Sequence, residues 1–402
     1  MSESFKKTEV GHIPADWICR PIGEIACVGR GRVISHREIS RALSPTYPVY
    51  SSQTSNNGVM GYLDTYDFEG DYVTWTTDGV NAGTVFYRSG KFNCTNVCGT
   101  IKPIQHNTSY VALALSQRTG RYVSRNLANP KLMTDVMKQI AIALPPSVDE
   151  QYEIANAITE FDELIVTLEQ LISKKRDIQQ ATMQQLLTGQ LRLPGFSGEW
   201  KDGELRDVVR SLEAGVSVNS SDDLPEPGLP CVLKTSALSS GNFYPNEAKA
   251  IVAADRGRAC TNPKRNTILI SRMNTPALVG EIAYVGKDYD WLFLPDRLWM
   301  TRFMSDDCVN ARWLAYLLSS RPYRRLLQDS ATGTSGSMKN ISKGVLLSLQ
   351  ISYPAIEEQT AIATILSDMD SELAALESRR DKARQLKQGM MQELLTGRIR
   401  LV

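Results

Sequence analysis

Pro146-Ser147-Val148-Asp149-Glu150-Gln151 opens a stretch that closes on Leu186-Leu187-Thr188-Gly189-Gln190-Leu191-Arg192-Leu193, and the whole stretch returns later in the chain. The second copy opens on Pro354 with Glu358-Gln359 and closes on Leu394-Leu395-Thr396-Gly397, then Arg400-Leu401, with no insertion or deletion. Roughly 19 of about 48 aligned positions are identical, concentrated at the two ends, so the internal repeat is the first fact any fold must satisfy. Two copies imply two equivalent places to bind something.

Between those ends the apolar residues step by three and four. Ile154, Ile158, Phe161, Ile165, Leu168 and Ile172 form the stripe of the first copy; Ile362, Leu366, Met369, Leu373 and Leu376, resuming at Ala383, Leu386 and Met390, form that of the second. This heptad pattern predicts helix. Ser147 and Glu150 read as a capping box at the start, and Gly189 and Gly397 suit the left-handed residue that ends a helix. Each helix is then about 38 residues, roughly 57 Å at the helical rise. A small domain cannot bury an element of that length, so the stripe must pack on a partner, and an antiparallel pairing of the two copies is expected.

A chain of 402 residues with 42% hydrophobic content can build two further cores. No apolar run approaches membrane-spanning length, Met1 to Lys7 is polar with no signal peptide, and seven irregularly spaced cysteines suit a reducing compartment. A cytoplasmic protein with no membrane partner is expected. The formal net charge is only +1, but residues 1–148 carry +4, 149–193 carry −4, 194–353 carry +2 and 354–402 carry −1. The segments outside the helices could therefore face phosphates, and the helices read as protein-binding surfaces.

Four segments follow from this reading: a globular domain over 1–148, a long helix over 149–193, a second globular domain over 194–353 and a second long helix over 354–402. The domain entries are alike, Pro14-Ala15-Asp16-Trp17 matching Gly198-Glu199-Trp200. Both domains read as mixed α/β, with short strands at Tyr47–Tyr50, Tyr72–Trp75 and Thr84–Tyr87 in the first. In the second the strands are expected at Thr267–Ile270, Ile282–Val285 and Trp291–Leu294. Helical patches are expected at Tyr110–Leu127 and Val309–Gln328.

The Pro…Glu-Gln opening, the Leu-Leu-Thr-Gly-x-x-Arg-Leu ending, the link Leu193-Pro194-Gly195-Phe196-Ser197-Gly198-Glu199-Trp200 and the loop Gly333-Thr334-Ser335-Gly336-Ser337-Met338-Lys339-Asn340-Ile341-Ser342 together resemble the specificity subunit of type I restriction-modification systems. The resemblance covers the whole chain. It implies two target-recognition domains held apart by an antiparallel coiled coil with a pseudo-twofold internal repeat, each domain reading half of a split, asymmetric site on double-stranded DNA. It also implies that two methyltransferase subunits dock on the helices, the repeated Glu150, Gln151, Leu186, Leu187, Glu358, Gln359, Leu394 and Leu395 being the candidate contacts, and that restriction subunits join that core. S-adenosylmethionine, ATP and Mg would belong to those partners, with no cofactor in this chain. In the first domain Asn129-Pro130-Lys131-Leu132-Met133-Thr134 stands where the second has Ser337 to Ser342, so Lys131 alone transfers, as the counterpart of Lys339.

Catalytic chemistry is not legible. The chain lacks the Asn/Asp-Pro-Pro-Tyr/Phe motif that holds a flipped adenine, Gly29-Arg30-Gly31 lacks the context of a cofactor loop, and Gly333–Asn340 lacks the Gly-Lys-Ser/Thr of a nucleotide site. Cys94 and Cys98 have no second pair nearby to complete a zinc site, and His12, His36 and His106 stand in no nucleophilic or metal setting. A non-catalytic binding component is expected. Base edges are read by Arg, Lys, Asn, Gln, Ser and Thr. The polar loops offer Ser51, Ser52, Gln53, Asn56, Asn57, Thr76, Thr77 and Asn81 in the first domain. In the second they offer Lys234, Thr235, Arg272, Asn274, Thr275, Arg297, Ser337, Lys339 and Asn340. These residue types also form turns for their own sake. An adaptor whose helices and domains bind only proteins is the alternative.

Overall fold

Two apolar stripes of this length must cover each other, and they do. The computed structural model describes residues 4–124, 129–221, 228–239, 241–305, 307–333 and 338–401. The proximal helix runs Val148–Leu187 and the distal helix Ile356–Leu394, 40 and 39 residues. The chain divides into two compact units, Met1–Gln170 with Glu377–Val402 and Leu171–Leu376, so each unit takes one globular domain and half of each helix.

Within the first unit Lys387 reaches Asp162 at 2.5 Å and Arg384 pairs with Glu169. Within the second, Lys175 lies 2.7 Å from Glu372 and Gln179 donates to Asp370 at 2.6 Å. Partner numbers fall as the proximal helix advances, which makes the pairing antiparallel. Ile154, Ile158, Leu168, Ile172, Ile362, Leu366, Leu373 and Ala383 are buried along the seam, each fully buried Ile or Leu contributing about 1.5–3 kcal/mol. Leu386 departs from the expected stripe and is exposed. Gly189 and Gly397 take φ of 69° and 67°, as helix ends require. A Cβ on either would run into the entry tryptophan of its own unit, Trp200 at 3.2 Å and Trp17 at 3.1 Å, so the matching domain entries serve to pack the matching helix ends.

The first domain builds an antiparallel sheet in the order Ala26–Arg30, Cys98–Pro103, Tyr72–Thr76, Val85–Arg88, and the second builds Val209–Ala214, Leu298–Phe303, Thr267–Ser271, Ile282–Val285 in the same order. A second sheet in each domain contains a parallel pair, Tyr47–Tyr50 with Lys91–Cys94 at its centre in the first and Cys231–Leu233 with Leu292–Phe293 at its edge in the second. The shared frame tolerates divergent sequence because volume is exchanged across a cross-strand pair. Gly99 faces Trp75 in the first domain, where a Cβ would sit 2.1 Å from the indole, and Trp299 faces Ile270 in the second. The large ring changes strand and the filled volume is kept.

The helical patches are shorter than expected. Thr108–Ser116 is followed by a single turn at Thr119–Arg121, and Leu127 lies outside the described residues. The second patch breaks into Ala311–Ser319 and Arg321–Asp329, because Ser320, preceding the first turn that holds Pro322, is extended at ψ 153°. Among the described residues no helix is long and apolar enough to cross a membrane.

Candidate nucleic-acid interface

Each domain sheet ends in a loop that leaves the strand Tyr72–Thr76 or Thr267–Ser271, and the same backbone hydrogen bonds frame both loops. Thr77 N–H donates to Val97 O and Leu132 N–H to Thr77 O in the first domain; Arg272 N–H donates to Arg297 O and Ile341 N–H to Arg272 O in the second. Gly83 and Gly280 close the loops with φ of 86° and 80°, their N–H groups bonded to Thr76 O and Ser271 O. These pairs make Thr77 the counterpart of Arg272, Val97 of Arg297 and Lys131 of Asn340. The matching of Lys131 with Lys339 expected from sequence is therefore off by one residue: Ser124 bridges to Lys131 as Thr332 bridges to Asn340.

In the second domain the frame gathers Arg272, Arg297, Asn274, Thr275, Lys339 and Asn340. Met273 pairs with Asn340 and Asn274 with Lys339 across a short ladder. Arg272 is steered by Trp299, its guanidinium carbon 5.8 Å from the ring centroid, a cation–π arrangement. Arg272 Nε and Asn340 Oδ1 are buried and bond to no other group among the described residues. Such atoms carry a desolvation cost unless a ligand meets them. Thr275 and Arg297 are exposed. Asn274 is a correction: it is buried, its amide donating to Ser271 Oγ at 3.3 Å and its carbonyl oxygen accepting from Thr275 N–H at 2.9 Å, so it shapes the turn and does not face outward. Lys234 and Thr235 lie in the turn that follows the strand Cys231–Leu233 of the other sheet, and Lys234 is 3.6 Å from Glu247. Ser337 lies outside the described residues.

The first domain is arranged differently on the same frame. Thr76 and Thr77 are buried, a second correction. The Thr76 hydroxyl donates to Asn81 O, and the Thr77 hydroxyl donates to Asp78 at 2.5 Å and accepts from Arg30 at 3.0 Å. Asp78 also sits 3.4 Å from both Arg30 and Lys131, one carboxylate between two cations. Sequence reasoning missed Arg30 and Asp78, since Gly29-Arg30-Gly31 carries no binding motif and nothing local ties it to residue 78. Ser51 and Gln53 hold their own loop together, Ser51 Oγ accepting from Thr95 at 3.2 Å and Gln53 bonding to Val59 O. Asn56 and Asn57 stand exposed at its tip with φ of 48° and 51°. The loop is anchored by Arg88, which donates to Asn57 O at 2.8 Å and lies 3.6 Å from the Tyr50 ring centroid. Burial of Arg88 lowers its pKa from the ordinary arginine value.

The residues expected to meet a partner at the helix ends are also corrected. Glu150, Gln151, Leu186, Leu187, Glu358, Gln359, Leu394 and Leu395 are all buried inside their own units. Glu150 takes a two-pronged bond from Arg400, which explains why it forms no capping box, and Glu358 takes one from Arg192. Gln151 Oε1 accepts from Asn107 N–H at 3.0 Å, and Gln359 Oε1 from Asn310 N–H at 2.8 Å. The leucines fill the two domain cores. Cys94 and Cys98 are buried, mutual hydrogen bonding and burial pushing the Cys94 thiol up, and no cluster able to hold a metal ion is present among the described residues.

Residues 14–176 and 197–385 match the family model of the type I restriction modification DNA specificity domain, one copy in each half of the chain. A Mycoplasma pneumoniae protein named as a type I specificity subunit is 39% identical over 197 residues, 48% of this chain and 52% of that protein. The specificity subunit of the type I restriction enzyme MpnII of the same organism is 35% identical over 164 residues, 40% of this chain and 48% of its own. The chain thus spans about half the length of these curated relatives. The crystal structure of a type I restriction-modification S subunit from M. genitalium shares the fold over 98% of this chain and 99% of its own, with TM-score 0.66 at 15% identity.

Proposed function

The chain belongs to the type I restriction modification DNA specificity domain family, and we propose that it reads a two-part, asymmetric sequence on double-stranded DNA for a restriction-modification complex without performing chemistry itself. One observation carries this reading: two loops built on a common backbone hydrogen-bond frame hold different residues, Thr77, Val97 and Lys131 in one and Arg272, Arg297 and Asn340 in the other, with Thr77 turned inward onto Asp78 in the first. A common frame with different chemistry is what two readers of two different half-sites require. Arg reads guanine through O6 and N7, and Asn reads adenine through N6 and N7, so the second platform is suited to base edges in the major groove.

In this reading two methyltransferase subunits dock on the helices and restriction subunits join them in the cytoplasm. S-adenosylmethionine, ATP and Mg are held by those partners. Because the repeated helix-end residues are buried, docking falls to side chains the helices leave exposed, among them Tyr152, Val166, Leu171, Ile178 and Leu386.

The test is electrophoretic mobility of the chain with its methyltransferase subunits on a pool of random duplexes. Enrichment of a two-part sequence supports the reading. Retention without sequence preference, or none, supports a protein-only adaptor instead.

A further inference from the structure

We propose that Val80 is a base-reading residue of the first domain and recognises the C5-methyl group of a thymine; this rests on the DNA-reading function above. Val80 is 94% exposed, at the tip of the loop between Asp78 and Gly83. Tight turns ordinarily take Gly, Asn, Asp or Ser at such a place, and the neighbours Gly79, Asn81 and Gly83 conform.

The tip is not a loose segment. Ala82 N–H bonds to Gly79 O at 2.9 Å, Gly79 N–H to Pro130 O at 3.0 Å, and both Thr84 N–H and the Thr84 hydroxyl to Asn81 O. Asp78 at its root is fixed between Arg30 and Lys131. A β-branched side chain on a fixed backbone is itself stiff, so little entropy is lost when it meets a surface. The two cations against one carboxylate leave a positive surplus beside the tip, which suits a phosphate-lined groove. The same station in the second domain is again apolar. Pro276 and Ala277 are exposed between Asn274 and Gly280, and Ala277 O accepts from Gln328 at 3.0 Å. Among the groups that base edges show in the major groove, the thymine methyl is the apolar one.

The experiment uses the full chain with its methyltransferase subunits on the duplex that carries its mapped site. Each thymine of the first domain's half-site is replaced in turn by deoxyuridine, which removes only the methyl. At one position the native complex should bind about three- to fivefold more weakly, the worth of one buried methyl-sized group. Val80→Ala should lose a similar factor on the unmodified site and be indifferent to deoxyuridine there, while Val80→Ile should keep the sensitivity. Sensitivity to deoxyuridine that is identical in native and Val80→Ala complexes overturns the assignment. So does a Val80→Ala loss shared by every substituted duplex, the mark of a wedge between base steps. Absence of selective binding by the native complex would overturn the DNA-reading function together with this inference.

Discussion

Arg192 Nε and Nη2 each lie 2.7 Å from a carboxylate oxygen of Glu358, tying the chain just past the proximal helix to the first turn of the distal one. The other copy repeats the fork with the roles exchanged, Arg400 gripping Glu150. Each fork joins the end of one copy to the start of the other, so both ends of both copies are under the same constraint. That accounts for identity gathering at the ends of the repeat while the middle drifts.

Removing Arg400 should therefore cost far more than a surface ion pair. Glu150 is 1% exposed, and an uncompensated buried carboxylate costs about 3–5 kcal/mol. Arg400→Ala should lower the denaturation midpoint sharply, and Arg400→Ala with Glu150→Ala should recover part of the loss. A double variant as unstable as the sum of the singles would show that the fork is not the interaction being lost.

In the second domain, Arg272→Ala or Asn340→Ala should cost about 1–3 kcal/mol on the cognate site and leave non-specific affinity almost unchanged. Lys339→Ala should weaken all sequences alike and lower the salt slope by about one. Titration of each variant against cognate and scrambled duplexes at several salt concentrations separates the two behaviours.

Asp78 restrains two cations, and Asp78→Asn should release them toward phosphate. Affinity for scrambled duplex should rise, with a salt slope steeper by about one. An unchanged slope would mean that Arg30 and Lys131 face away from the nucleic acid.

His106 gives the first unit an acid sensitivity. The Gln151 amide is fixed at both ends, its oxygen accepting from Asn107 N–H and its nitrogen donating to Pro145 O, so Nε2 faces His106 Nδ1 at 3.2 Å. Nδ1 must accept, which requires a neutral ring. Burial lowers the His106 pKa below its ordinary value near 6.5, so below that pH the unfolded chain binds more protons than the folded one. Stability present above pH 6.5 is lost as the pH falls through that value. His106→Gln should flatten this part of the stability profile between about pH 5 and 6.5. A profile identical to that of the native chain would remove His106 from the account.

The long helices were legible because their period and the glycines that end them are local signals, and the repeat fixed their pairing. Several strands were legible for the same reason, Tyr47–Tyr50 and Ile282–Val285 to the residue. What sequence did not disclose is which polar residues serve the fold. Thr76, Thr77 and Asn274 have the composition of a reading loop, yet their side chains close their own turns. Glu150 and Glu358 look like conspicuous surface charges at a helix start, and only the arrival of an arginine from the other copy makes burial tolerable. The one-residue error at Lys131 has a similar origin, because a ladder between distant strands sets register there and no adjacent residue records it.

The most direct test is to map modified adenines across the genome of cells expressing the chain with its methyltransferase subunits, and again after residues 194–353 are exchanged for the matching domain of a relative. The account predicts a two-part methylated sequence in which the exchange rewrites one half and leaves the other unchanged. Both halves changing together would contradict it.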